Sequence, residues 1–287
     1  MVTSKRITEG VFRRYKRAKR KLVRLDEAKI LAALKSCGTF DSDLLFVHSS
    51  LSACGSIDGG PATIVKALNS WISDAAALAM PTHTWSYPDA NGVAPVYDYQ
   101  STPSVVGTIT NYYWRQPGIV RSLHPSHSFA CSGSHAEQLA AGHECFETPC
   151  GVGTPYHRIA QGKSSVLMFG ATMDSYTLFH TAEDEAQVPY LYAPEQVTLR
   201  TKDKDGSVRP IRMWRQDMSI SRRFAATADW LVERGLLVKR KLGLSELLFV
   251  PSTGALHETI VKKLREDPLF LVDESARSEA RSRTWPA

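Results

Sequence analysis

The chain predicts an α/β fold, and two observations carry that prediction. Short apolar runs bounded by turn residues recur at 43–48, 75–80 and 164–170, and stretches with helical periodicity lie between them. Strands that alternate with helices bury a sheet beneath helices, which is the arrangement of an α/β protein.

In chain order, Asp26 is placed to cap a helix that runs to about Leu34 and stops at Cys37-Gly38. DLLFVH, residues 43–48, reads as a buried strand, followed by the small-residue loop SSLSACGSIDGG. Pro61 suits the first position of a helix over PATIVKALNSWI, with Ile64, Leu68 and Ile72 along one face. AAALAM, residues 75–80, reads as a second strand stopped by Pro81. From His83 to Gly118 the chain is rich in Pro, Gly, Tyr and Trp and has little periodicity, the profile of a binding surface. A helix is expected inside it over VVGTITNYYWR. SSVLMFG, 164–170, is a third strand, and DSYTLFHTAEDEA, 174–186, a helix capped by Asp174. QVTLRTK and SVRPIRMWR are strand-like, RFAATADWLVER and ALHETIVKKLRE helix-like, and the polar residues after Glu274 are expected to fray. The organisation expected is a basic arm over 1–27, one domain over 28–274 and a polar tail over 275–287.

A hydrophobic content of 43% with 22% charged residues excludes a disordered or fibrous chain. No run approaches the roughly 18 apolar residues of a membrane span. The basic N-terminus leads into KLVRLDEAKI rather than an apolar signal core, so the expected location is the cytoplasm. Five cysteines in a chain of 287 residues read as reduced thiols. The net charge of +6 is concentrated at one end. Residues 1–24 hold ten Lys/Arg and one acid, and setting them aside takes 35 basic residues to 25 and 29 acidic ones to 28, a net of −3. Such an arm can meet nucleic acid, anionic lipid or an acidic partner, or serve only as a solvated leader; with Phe12 and Tyr15 its only aromatics, a nucleic-acid module is not expected.

Three segments can carry chemistry. In HSSLSACGSIDGG the glycines allow close backbone approach and the following helix start offers free N–H groups, with Ser49 and Ser50 adding hydroxyls. An ordinary glycine-rich turn has the same appearance. In RSLHPSHS, Arg121 and Ser122 can grip an anion. His124 and His127 offer two zinc ligands without a third at standard spacing, so no metal is expected. In TLFHTAED, helical spacing puts Thr177, His180 and Glu183 on one face beside the apolar Phe179, Ala182 and Ala186. His180 can act there as a general base steadied by Glu183. It can equally be one half of a surface pair worth about 0.3–0.5 kcal/mol.

The ordered series HSSLSACGSIDGGP, AMPTHTW, TPSVVG, RSLHPSHS and TLFHTAE resembles the aminoglycoside 3-N-acetyltransferase family over roughly residues 28–270. The resemblance implies a single α/β domain of the antibiotic N-acetyltransferase type, with a mixed central sheet and flanking helices. It implies acetyl-CoA as donor and direct transfer to a primary amine of an aminoglycoside, at the 3-N position. By matching position His180 is the catalytic base and Glu183 its carboxylate. Ser49, Ser50, Gly59, Gly60, Thr82, Ser104, Arg121 and Ser122 fall where the family would hold the cofactor. Thr177 or a backbone N–H is the expected oxyanion donor, and Asp89, Asp98, Glu183, Asp184 and Glu185 are the carboxylates expected to meet a polycationic acceptor. Cys54 raises a covalent acyl-enzyme route, but no base neighbours it in sequence. The alternatives are acetylation of another amino sugar or amine metabolite, and a metal-dependent hydrolase using His124, His127, His180 and Glu183.

Overall fold

The computed structural model describes residues 22–89 and 92–285. Among them the strands in chain order are β1 (Arg24–Leu25), β2 (Leu44–Ser49), β3 (Ser56–Ile57), β4 (Ala77–Pro81), β5 (Val96–Asp98), β6 (Val120–Arg121), β7 (Phe129–Cys131), β8 (Ser164–Phe169), β9 (Tyr192–Lys202), β10 (Val208–Gln216), β11 (Val238–Leu242) and β12 (Ser245–Val250). Seven form one mixed sheet in the order β11-β12-β8-β2-β4-β7-β6. At its centre β8, β2 and β4 run parallel, and antiparallel strands extend both sides.

Parallel strands covered on both faces must be apolar on both, and these are. Leu45, Val47, Leu78, Met80, Leu167 and Phe169 pack with Ile30 and Leu34 of helix Glu27–Ser36 and with Ile64 and Leu68 of helix Pro61–Trp71. Their neighbours Leu44, Phe46, Ala79, Val166 and Met168 join a second core with Ile159, Phe179, Ala182, Leu256 and Ile260 from helices Pro155–Gln161, Phe179–Glu185 and Thr253–Glu266. The expected mixed sheet with flanking helices is therefore the observed one. A smaller sheet, β10-β9-β5, stands apart and leads by β10 back toward the main sheet.

Local signals worked where they were strong. Asp26 caps its helix, accepting from the Lys29 amide at 2.9 Å, Pro61 opens the next helix, and the helix expected near residue 105 is Thr108–Tyr113. Three expectations need correction. The helix expected over 174–186 is a 3₁₀ turn at Met173–Ser175 and then an α-helix from Phe179 to Glu185. The chain leaves helical geometry at Tyr176, whose buried ring packs on Phe179 at 4.8 Å, and Asp174 accepts from the Ala225 amide instead of capping.

The described residues after Glu274 are docked rather than frayed: Ala276 and Ala280 are buried, Arg283 meets Asp217 at 3.3 Å, and Trp285 packs edge-on against Tyr192. The domain also begins earlier than residue 28. Arg24 and Leu25 pair with Ser56 and Ile57, Leu25 is buried, and Arg24 reaches Asp58 at 2.8 Å. The other nine cations expected in the arm lie at 1–21, outside the described residues.

Candidate active site

The loops leaving the carboxyl ends of β2, β4 and β8 open a cleft of about 670 Å³. Ligands bind at this end of open α/β sheets because strand-end loops can diverge there. β2 contributes His48 and Ser49, β4 contributes Pro81 and leads to His83, and the segment after β8 contributes Asp174–Thr177 and His180. The remaining wall is made by Trp85, Tyr87, Val106 and His127 and by Arg215–Ser219 at the end of β10.

His180 and Glu183, one helical turn apart, are joined by a 2.6 Å contact between Nδ1 and Oε2. The Glu183 side chain is fully buried. Burial alone would push its carboxyl up, but the charge of Arg222 and the bond to His180 outweigh that and hold it below the usual glutamate value. Arg222 lies 3.5 Å from the other carboxylate oxygen and is itself fixed by the carbonyls of Asp217 and Ile220 and by the ring of Tyr190. An anionic Glu183 accepts the Nδ1 proton, so the lone pair of neutral His180 sits on Nε2.

The other cleft histidines are of a different kind. Burial pushes His48 and His127 down to about 3, and His83 well below the usual histidine range. They stay neutral, with hydroxyl partners for two of them: His83 with Tyr156 at 2.9 Å and His127 with Ser126 at 2.9 Å. Among the histidines lining the cleft, His180 is the one joined to a carboxylate.

This geometry can be set beside known proteins. The family model of aminoglycoside 3-N-acetyltransferases matches residues 46–263, well over half of the chain. The chain belongs to that family. Aminoglycoside N(3)-acetyltransferase IV from Salmonella sp is 28% identical over 246 residues, 86% of this chain and 90% of the relative. The crystal structure of a variant of aminoglycoside acetyltransferase AAC(3)-IVa in complex with gentamicin superposes with a TM-score of 0.75 at 25% identity, over 90% of this chain and 98% of the other. The binary complex of AAC-IIIb with CoASH superposes with a TM-score of 0.73 at 22% identity, over 85% and 97%, a likeness of fold. As a member of the aminoglycoside 3-N-acetyltransferase family, the chain is an acyltransferase.

Of the eight residues that the resemblance offered for the cofactor, the fold brings Ser49 alone into the cleft wall. Ser50 starts the short helix Leu51–Cys54, its amide on the Phe169 carbonyl. Gly59 and Gly60 serve a turn: both have positive φ, 76° and 62°, and a Cβ on Gly59 would lie 2.3 Å from the Thr63 hydroxyl. Thr82, Arg121 and Ser122 are buried structural residues. Arg121 donates to the Thr82 hydroxyl and carbonyl and to the Thr102 carbonyl, while Tyr97 and Trp114 flank its guanidinium. Ser122 pairs with His143 at 2.9 Å, and Ser104 accepts from the Val106 amide at 3.2 Å. Cys54 is buried outside the cleft lining, and burial pushes its thiol up to about 12, against the thiolate that an acyl-enzyme route needs.

Of the expected acceptor carboxylates, Asp98, Asp184 and Glu185 lie outside the cleft lining. Asp98 pairs with Lys202, Asp184 is buried against Tyr192, and the carboxylates lining the cleft are Asp174 and Asp217. Glu185 joins His157 and His257, the trio whose ligand atoms lie within 4.8 Å of one another. The Gly153 amide donates to His157 Nδ1, so the Nε2 of neutral His157 carries a proton and meets Glu185 as a hydrogen-bond donor rather than as a metal ligand. His124, which the hydrolase alternative would use with His127, accepts the His127 and Ser126 amides at Nδ1 and stacks on His143.

Proposed function

We propose that this chain transfers the acetyl group of acetyl-CoA directly to a ring amine of an aminoglycoside, at the 3-N position, with His180 as general base. The observation that carries the reading is that one of the four cleft imidazoles, His180, is held in the Nδ1–H form by a buried, Arg222-compensated Glu183. An ammonium group is no nucleophile. The ammonium first gives one proton to solvent, and His180 Nε2 accepts the second, which the neutral amine loses as its nitrogen attacks the thioester carbon. The C–N bond forms, the C–S bond breaks, and the imidazolium returns a proton to the departing thiolate. Glu183 stabilises the imidazolium while it exists, and such a base contributes about 10²–10⁴-fold.

Ser49 Oγ, buried at the cleft and without a partner among the described residues, is the side chain proposed to meet the thioester end of the donor. Family membership and the CoASH complex of a neighbour with the same fold support acetyl-CoA. The gentamicin complex and Asp174 and Asp217 in the cleft support a cationic acceptor. We place the protein in the cytoplasm, where acetyl-CoA is made; no described helix is long and apolar enough to cross a membrane, and all five cysteines are free thiols. A thiol-release assay with a panel of aminoglycosides and amino sugars tests the reading. Thiol release with an aminoglycoside is expected; no release with any amine, together with no CoA binding, would sink it.

A further inference from the structure

Trp85 stands in the cleft wall with 52% of its surface exposed and a backbone φ of 44°. That is the left-handed region, which a large L side chain avoids and glycine accepts freely. The conformation is imposed from outside. The amides of Thr84 and Trp85 both donate to the Ser126 carbonyl, at 3.0 and 3.2 Å, and the Ser86 amide donates to the Pro125 carbonyl at 3.2 Å. The Thr84 hydroxyl adds a 2.6 Å bond to the Pro125 carbonyl, and the Tyr87 amide closes on the Trp85 carbonyl at 2.7 Å. Strain that its surroundings over-determine in this way gathers at ligand clamps.

The core gains little from this indole, whose ring contact is His83 at 6.3 Å between centroids. Its surface belongs to the same cleft as Asp174, Asp217 and His180. An aromatic face with carboxylates in the same cleft suits a saturated ring that carries ammonium groups. The C–H face of such a ring stacks on indole, and its cations are drawn to the π-face and to the acids. We infer that Trp85 is the platform on which the acceptor ring stacks, held in a strained backbone so that its indole faces the cleft. The inference rests on the acetyl-transfer reading and adds a specificity-determining residue to it.

The test compares parent, Trp85→Phe and Trp85→Gly with gentamicin and apramycin as acceptors, measuring both KM values and the melting temperature. Trp85→Gly is expected to raise the acceptor KM about tenfold, the size of a lost ring–cation contact, with the acetyl-CoA KM unchanged. Its melting temperature should not fall, because glycine relieves the left-handed strain, and Trp85→Phe should lie between. Parental acceptor KM in Trp85→Gly overturns the inference while leaving the reaction standing. A lower melting temperature with equal rises in both KM values also overturns it, by marking Trp85 as a structural strut. A parent that releases no thiol removes the reaction instead, and calorimetric titration with gentamicin then decides. Weaker binding to Trp85→Gly supports the platform; equal binding, or none to either protein, overturns it.

Discussion

Two His–Glu clusters lie two residues apart on one short helix, and they do different work. Glu183 is fully buried, takes one imidazole nitrogen and one guanidinium, and leaves His180 a second nitrogen at the cleft. Glu185 is a quarter exposed and gathers His157 at 3.2 Å, His257 at 2.8 Å and Arg265 at 3.5 Å. There both imidazoles spend their second nitrogen inside the protein, His157 on the Gly153 amide and His257 on the Thr181 hydroxyl. The first cluster leaves a ring nitrogen at the cleft, as the proposed base requires, and the second is a clasp between three helices. The presence of a histidine beside a glutamate does not separate them. What separates them is whether one ring nitrogen remains for substrate.

The sharpest way to break this contrast is a matched pair of variants. His180→Ala should lower kcat by about 10²–10⁴-fold with CoA affinity intact, whereas His257→Ala should leave kcat within the parental range. Comparable kcat losses in both, with both proteins folded, would erase the distinction. Next in size is Arg222→Met. Removing one partner of a buried pair costs about 3–5 kcal/mol. The uncompensated Glu183 should then protonate at higher pH, moving the acid limb of kcat/KM upward; an unmoved limb would deny Arg222 its part in poising the dyad.

Glu185→Gln should cost about 1–3 kcal/mol of unfolding free energy, measured by urea titration at pH 7, without changing kcat. Hydrogen bonds from His257 and His157 outweigh burial and hold the Glu185 carboxyl below its usual value of 4.5. Its contribution is thus present above that pH and lost as pH falls through the lowered folded value. The smallest effect is expected from His127→Asn. A histidine lowered from 6.5 to about 3 stabilises the fold fully above 6.5 and loses that contribution as pH drops toward 3. The variant should therefore lose less stability than the parent between pH 7 and pH 5, and equal slopes would count against a neutral buried His127.

How far this was legible in the chain depended on the reach of the signal. The central strands announced themselves because burial on both faces leaves an unbroken apolar run, as in LLFVH and SSVLMF. The His180–Glu183 contact was legible because a helix brings residues three apart together, although the helix itself starts five residues later than its apparent cap. Arg222, whose charge compensates the buried Glu183, comes from 39 residues away, and nothing local marks it. The internal partners of three cofactor candidates were hidden for a related reason. Thr82, Arg121 and Ser122 have the chemistry of anion ligands, but Thr82 and Arg121 satisfy each other and Ser122 satisfies His143. Asp217 and Met218 joined the cleft through the placement of β10, which no short motif encodes.

The docking of the segment after Glu274 also bears on how the protein is made. Arg283 holds Asp217 and Ser219 in the cleft wall, and it follows Ser219 by 64 positions. On a ribosome the parallel strands β2, β4 and β8 and the His180 helix are made well before Arg283 leaves the exit tunnel, and domains fold largely as units once their parts are present. The nascent chain therefore holds the His180–Glu183 pair early and completes the wall around it late. A chain cut short just before Arg283 would have every strand of the main sheet but a cleft wall without that clasp.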